Sequence, residues 1–145
     1  MAFQFSLDTV LRVRGIVEER EERILQKILF EISQSLETLT RTDVEIAESD
    51  ASRRADVFKS NIGHHLHASY GAVTALKQNR KDLEGQIAKL EQLRDRQLIV
   101  YADARRNREM ITDMREEKRG AYDSDMARRE QKTLDDNYIA RRGRN

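Results

Sequence analysis

The chain has 145 residues, of which 37% are charged and 38% hydrophobic, and it contains neither proline nor cysteine. Its 27 basic and 26 acidic residues leave a net charge of +1, without the basic excess expected of a dedicated nucleic-acid-binding protein. The lack of cysteine excludes disulfides and thiolate metal sites and suits a reducing cytoplasm.

The missing proline and the high charge favour long helices. A proline inside a helix costs about 3 kcal/mol, and none interrupts this chain. The charged fraction exceeds the roughly 25% of an ordinary globular domain. With a mean hydropathy of −0.80, the composition suits a narrow apolar seam along solvated helices, as in a coiled coil. We expect one soluble domain without a signal peptide or a membrane span, because no apolar run approaches about 20 residues.

The first periodic stretch predicts a helix over about residues 5–59. Apolar residues recur every three or four positions, which keeps them on one face of a helix. Arg14 and Glu21 stand where a strict heptad would carry aliphatic residues, so this end forms a weak seam or a binding face. The predicted seam runs through Leu7, Val10 or Leu11, Arg14, Val17, Glu21, Ile24 or Leu25, Ile28, Ile32, Leu36 or Leu39, Asp43 and Ile46.

Residues 60–71 predict the reversal between two helices. This segment holds two of the six glycines and all three histidines, together with residues that favour turns and helix caps. His64, His65 and His67 are candidate ligands for zinc, copper or nickel. However, no cysteine exists and the nearest carboxylate, that of Asp56, lies well upstream. We interpret the segment as a polar tip loop and predict no metal site there.

The second periodic stretch predicts a helix over about residues 72–139, followed by a tail over 140–145. Gly85 and Gly120 each cost about 1 kcal/mol relative to alanine inside a helix, which a long helix tolerates. A short connection leaves the two helices antiparallel, so the predicted fold is all-α, a long two-helix coiled coil. The predicted seam runs through Val73, Leu76, Arg80, Leu83, Ile87, Leu90, Leu93 or Arg94, Leu98, Tyr101, Ala104, Arg108, Ile111, Met114 and Tyr122.

The charged clusters do not indicate an enzyme. Paired carboxylates such as Glu18-Glu19 and Glu116-Glu117 sit among arginines on exposed helix faces, whereas acid–base catalysis needs a pocket that shifts pKa values. The sequence has no phosphate-binding glycine loop, nucleophile elbow or HExxH motif, so we expect no catalytic residue and no cofactor. The basic clusters alternate with acidic residues, which is typical of a solvated helix.

The two ends of the chain are the more informative sites. Phe3 and Phe5 precede the first seam, where aromatic residues either bind another protein or pack on the start of helix one as a staple. At the other end, Arg129-Glu130-Gln131-Lys132-x-Leu134-Asp135-Asp136 carries a single aliphatic residue. This string makes a poor seam and predicts a specific charged contact.

Both ends resemble the flagellar export protein FliJ family. The string Phe3-x-Phe5-x-Leu7-x-x-Val10-Leu11-x-Val13-Arg14, followed by Glu18, is similar to the family's opening pattern of aromatics, leucines and an arginine before an acidic run. The C-terminal string is similar to the family's closing motif, in which Asp136 stands where glutamate is common. The length and the helix–turn–helix layout agree along the whole chain.

The resemblance implies a fold, a function and partners. Members of the family form an antiparallel two-helix coiled coil similar to the stalk subunit of rotary ATPases. The implied function is a non-enzymatic stalk of the flagellar type III export apparatus, needed for flagellum assembly and motility. The implied partners are the export ATPase hexamer, which the paired ends enter and activate, the cytoplasmic linker of the export-gate membrane protein, and export chaperones. No nucleic acid or direct membrane insertion is implied, and the location is cytoplasmic, peripheral at the inner face of the cell membrane.

Transferred residue by residue, the resemblance also assigns site residues. The ATPase-facing candidates are Phe3, Phe5, Leu11, Arg14, Arg129, Gln131, Lys132 and Asp135. The gate-facing candidates, on helix two just after the tip, are Tyr70, Val73 and Leu76.

Three other functions stay open on the sequence. A self-associating coiled-coil scaffold would be distinguished by its solution mass, and the stalk of a virulence-type secretion system is hard to separate by sequence. A third alternative is binding of anionic lipid or nucleic acid by Arg141, Arg142 and Arg144, which should depend steeply on salt.

Overall fold

The computed structural model of the protein describes residues 2–57 and 63–144. Helix α1 spans Asp8–Asp56 with 49 residues, and helix α2 spans Gly63–Arg142 with 80 residues. No strand occurs in these two ranges, and the two helices pack against each other, so the prediction of an all-α, two-helix fold is confirmed. Within the same ranges, neither helix has a segment long and apolar enough to cross a membrane.

Helix α1 begins and ends with charges that suit a helix dipole. The backbone amide of Asp8 donates to the carbonyl of Phe5 at 3.2 Å, which closes the turn before the helix. The Asp8 carboxylate lies in the first turn, and Arg53 and Arg54 lie in the last. Negative charge near the N-terminus and positive charge near the C-terminus both stabilise a helix.

Helix α2 begins earlier than the sequence predicts. The tip is expected over residues 60–71, but the chain is helical from Gly63 onward, while residues 60–62 lie outside the described residues. The two glycines of the predicted tip, Gly63 and Gly71, cost a helix only about 1 kcal/mol each, and the segment contains no proline. Packing of the seam, which includes the 3% exposed Val73, outweighs that cost and extends the helix. At the other end α2 continues to Arg142 rather than stopping near residue 139.

The histidine segment belongs to the start of α2. His67 is an exposed helical residue, and the side chains of His64 and His65 lie outside the described part of the chain. Among the described residues, no group of three or more potential ligands could hold a metal ion.

Contacts divide the chain into two compact units. The terminal unit comprises Met1–Arg20 and Tyr101–Asn145, and the middle unit comprises Glu21–Val100. In the terminal unit, Phe3 contacts Tyr122 and Glu18 contacts Arg108, so the two helix segments run antiparallel. The middle unit is antiparallel as well, since Asp43 contacts Arg80 and Glu21 contacts Gln97. That the whole chain forms one domain stays a prediction.

The seam of the middle unit is a line of covered side chains contributed by both helices. Its buried residues include Leu25, Ile32, Thr42, Val73 and Ile87, each less than 9% exposed. No large side chain is less than 2% exposed among the described residues, as expected when only two helices cover each other. The core of each unit is therefore a single narrow layer of side chains.

Two seam positions of the middle unit differ from those predicted. Thr42 is buried in place of Asp43, and Gln97 is half-buried in place of Leu98, whereas of the alternatives Leu36 and Leu39 the structure covers Leu39. Leu36 and Leu98 instead remain 45% and 44% exposed. Of two neighbouring residues on a helix, only one can point into the seam. The helical period of the backbone determines which one it is, even when the other is more apolar.

Candidate partner-binding surfaces

The N-terminal aromatic residues contact helix α2. The Phe3 ring lies 5.6 Å from the Tyr122 ring, centroid to centroid, with the planes inclined by 52°. Phe5 is only 8% exposed, and the Lys118 ammonium lies 5.6 Å from the centroid of its ring. A tilted aromatic pair and a cation over an aromatic face are both favourable contacts. The two rings therefore anchor the N-terminus on helix α2, which differs from the predicted staple on helix one, and their binding of another protein stays a prediction.

The surface around these rings remains partly open. Phe3 is half-buried, and a shallow groove there is lined by Phe3, Gln4, Phe5, Asp8 and Arg115. Along α1, Leu11 is half-buried, whereas Arg14 is exposed. The prediction of Arg14 in the seam is wrong, because Leu11 and Glu18 occupy the covered face and Arg14 turns to solvent.

The C-terminal part of α2 is an uncovered helix. Every residue from Ala127 to Arg144 is exposed. Tyr122, which precedes this stretch, is in contact with Phe3 near the N-terminus. Three large apolar side chains are unusually open here, with Leu134 69%, Tyr138 65% and Ile139 67% exposed. Neighbouring apolar side chains on a helix without a covering partner make this stretch a candidate interaction surface.

The C-terminal candidates line two adjoining grooves of this helix. Gln131, Lys132 and Asp135 line one shallow groove with Ala127 and Arg128. Arg129 lines another, together with Glu130, Thr133 and Leu134. Residues three or four positions apart share a helix face, so Arg129 adjoins Lys132, and the four predicted residues form one continuous arc of about 160° around the helix.

Sequence reasoning missed Tyr138 and Ile139 because both were close to the predicted tail. Leu134 and Tyr138 are four residues apart and therefore share a face, and this spacing was the available signal. These two residues extend the candidate surface by one turn beyond Asp135.

The three gate-facing candidates differ in exposure. Tyr70 is 63% exposed, and the guanidinium carbon of Arg53 lies 6.0 Å from the centroid of its ring. Leu76 is half-buried, and Val73, at 3% exposure, is a seam residue. Only Tyr70 presents most of its side chain to solvent.

Polar pairs cross the seam in both units, and we call them the cross-helix polar pairs. In the terminal unit, Arg108 donates from Nε and Nη2 to the two carboxylate oxygens of Glu18, the second bond measuring 3.2 Å. The Arg108 and Glu18 side chains are 31% and 14% exposed. The hydrogen bond to Glu18 raises the pKa of Arg108 against the opposing effect of burial, so the guanidinium stays charged at any ordinary pH.

The middle unit holds two further pairs. Gln97 Nε2 donates to Oε2 of Glu21 at 2.7 Å and to the Glu21 carbonyl at 3.1 Å, and Glu21 is 9% exposed. Arg80 pairs with Asp43 across the helices and with Glu84 along α2, and the hydrogen bond to Asp43 is the main cause of its raised pKa. The sequence placed Glu21, Arg80 and Arg108 in the seam correctly, but it did not identify Glu18 and Gln97 as partners.

Comparison with known proteins gives one informative result. No curated protein and no solved structure matches the chain. A family model described as "Flagellar FliJ protein" matches residues 3–145, which is nearly the whole chain. The match includes both ends that carried the resemblance. The chain belongs to the FliJ family and is thereby a component of the flagellar export apparatus.

Proposed function

We propose that this protein is a non-enzymatic stalk that engages the hexameric export ATPase through its two chain ends and activates it. The observation that carries the proposal is the uncovered end of α2, where residues 127–142 are helical and exposed. A helical stretch of that size extends about 24 Å. A single helix, about 10–12 Å across with its side chains, suits entry into the opening of a protein ring.

Activation by such a stalk requires only differential binding. A ligand shifts a conformational equilibrium by as much as its affinity for the two states differs. The C-terminal surface is not uniform around the helix, because Gln131, Lys132 and Asp135 line one groove and Arg129 lines the adjoining one, which leaves the remaining helix surface with different side chains. An asymmetric helix within a ring therefore contacts different subunits unequally and stabilises different states in them. No reacting group has to come from the stalk.

We further propose that Tyr70 provides the contact with the export gate. It is the most exposed of the three gate-facing candidates, and aromatic residues are enriched at protein interfaces. In this proposal Val73 supports the contact from within the seam and Leu76 borders it. Escort of export chaperones and a location at the inner face of the cell membrane belong to the same proposal.

The test measures ATP hydrolysis by the export ATPase of the same organism during titration with this protein. We expect saturable stimulation, and we expect Lys132→Glu to raise the concentration for half-maximal stimulation about tenfold, equivalent to about 1.4 kcal/mol of binding. The matched control is Lys89→Glu, because Lys89 is also an exposed lysine of α2 but lies in the middle unit. Circular dichroism of both variants should show unchanged helicity.

Two results would count against the proposal. Absence of stimulation by a helical, monodisperse protein would contradict the stalk function. Equal weakening by Lys132→Glu and Lys89→Glu would contradict the location of the contact, because general electrostatics would then explain the binding.

Self-association is the second candidate function, favoured by the open side chains of Leu134, Tyr138 and Ile139. A scaffold would bury these residues against another copy, whereas the proposed stalk keeps them free for the ATPase. Light scattering separates the two, since a monomer has a mass of 17.0 kDa. Family membership favours the flagellar system over a virulence-type system.

A further inference from the structure

The Glu18–Arg108 pair occupies a place in the seam that an aliphatic pair would fill. Arg108 is seven residues from half-buried Tyr101, and Glu18 is seven residues from half-buried Leu11, which is the heptad interval of a coiled-coil seam. Both side chains are largely covered, and two hydrogen bonds join them in a fork geometry. This geometry is more specific than a single ion pair.

Such a pair contributes less to stability than to specificity. Moving two charges partly out of water costs desolvation free energy, which offsets their attraction. Apolar side chains of similar volume at the same positions are often at least as stabilising. Leaving one charge covered without its partner is strongly unfavourable. If α1 slid by one heptad in one direction, Arg108 would face Leu11 and Glu18 would face Tyr101, so both charges would lose their partner. In the other direction Glu18 would meet Arg115, but Arg108 would still lose the carboxylate of Glu18. An apolar seam carries no such cost in either direction.

We propose that the Glu18–Arg108 pair sets the register of α1 against α2 in the terminal unit. Register here determines how far the Phe3–Phe5 segment lies along α2, and hence its distance from residues 129–135. The proposed ATPase contact needs the Phe3–Phe5 segment and residues 129–135 at a fixed distance. This functional consequence of the register therefore rests on the proposed function. Glu18 and Arg108 are positioning residues, and neither has to touch the ATPase.

The absence of cysteine makes the register directly measurable. Spin labels at Val13→Cys and Ser124→Cys would occupy exposed positions on α1 and α2 at different heights along the terminal unit. Double electron–electron resonance between them reports the axial offset of the two helices. The otherwise unaltered chain should give one narrow distance distribution.

The variant Arg108→Glu places like charges opposite each other. We expect a broadened distribution or a second component, displaced by about 5 Å for one helical turn or about 10 Å for one heptad. Adding Glu18→Arg restores the pair with its charges exchanged, and the single narrow distribution should return. The matched control is Arg105→Glu, because exposed Arg105 pairs with Glu109 on its own helix, and its distribution should not change.

The outcomes separate register from function. An unchanged distribution in Arg108→Glu, or failure of the exchanged pair to restore it, would overturn the assignment of register to this pair. If the assignment holds, Arg108→Glu should reduce ATPase stimulation and the exchanged pair should recover it. A shifted register with full stimulation would overturn the functional consequence alone. Loss of stimulation in Lys132→Glu but not in Arg108→Glu would likewise overturn that consequence, and it would leave the proposed function intact.

Discussion

Two phenylalanines of this chain differ widely in their exposure to solvent. Phe5 precedes the first helix yet is 8% exposed, whereas Phe30 lies within the most apolar part of α1 and is 61% exposed. Phe30 points away from the seam, because it follows Ile28 by two residues and a helix turns by about 200° over that interval. A hydrophobic residue therefore stabilises this molecule only where the helix period brings it to the partner helix.

This contrast gives a prediction about stability. Phe5→Ala should lower the free energy of unfolding of the terminal unit by about 3–5 kcal/mol, because it removes a covered aromatic ring. Phe30→Ala should change the stability by less than about 0.5 kcal/mol, as is usual for a solvated position. Urea denaturation followed by circular dichroism measures both. Equal losses in the two variants would show that Phe30 is covered in solution, for example by a second copy.

Single residues also mark the limit of sequence reasoning. The three- and four-residue spacing predicted the fold and most of the seam, including the charged positions Glu21, Arg80 and Arg108. It failed where two neighbours competed, since Leu98 is more apolar than Gln97 and yet lies outside the seam. The partner of Arg108 depends on how far one helix lies along the other, and the spacing within one helix does not contain that information.

At the scale of the element, α2 contains glycines that its packing does not require. A Cβ atom added at Gly71, Gly85 or Gly120 would meet nothing within 4 Å apart from the helix's own nearby backbone. None of these residues has a positive φ. Glycine in a helix costs conformational entropy on folding, so α2 is less stable than the same helix with alanine.

The glycine positions yield a second prediction. Gly85→Ala should raise the free energy of unfolding by about 0.5–1 kcal/mol, and thermal or urea unfolding will measure the change. The reverse substitution, Ala88→Gly, is the matched control at another exposed position of α2 and should lower stability by a similar amount. A neutral or destabilising Gly85→Ala would imply that a bend or a close partner at this position needs glycine.

The ends of the helices show why element boundaries were less predictable than the elements. The sequence predicted that helix one ends near residue 59 and helix two begins near 72, whereas α1 ends at Asp56 and α2 begins at Gly63. Turn-forming residues such as Ser69 and Gly71 suggested a loop. Their preferences amount to about 1 kcal/mol or less, and the packing of Val73 and the seam beyond it outweighs them.

At the scale of the whole molecule, the packed seam and the C-terminal candidates occupy different parts of the chain. The covered seam holds the helices together, whereas all four C-terminal candidates lie on a segment that is exposed at every position. The exposure follows from the unequal lengths of the helices, 49 and 80 residues. The sequence predicted this inequality, but it could not show that Phe3 and Phe5 belong to the packed part.

Removal of the exposed segment tests that separation. A chain that ends at Met126 should keep its free energy of unfolding within about 0.5 kcal/mol, because the removed residues bury little surface. Its ellipticity at 222 nm should fall in proportion to the helical residues lost, and its stimulation of the ATPase should disappear. A stability loss of more than about 1 kcal/mol would mean that the segment packs against the rest of the chain or another copy.

The cross-helix polar pairs have a further consequence for how the chain folds. The paired residues are 37 positions apart for Asp43 and Arg80, 76 for Glu21 and Gln97, and 90 for Glu18 and Arg108. The entropic cost of closing a loop rises with its length, so contacts near the reversal should form before those at the termini. On a translating ribosome, the Phe3–Phe5 segment must wait for Lys118 and Tyr122 to be synthesised. Until then its aromatic rings are uncovered, so the nascent chain exposes to chaperones the same segment that we propose contacts the export ATPase in the finished protein.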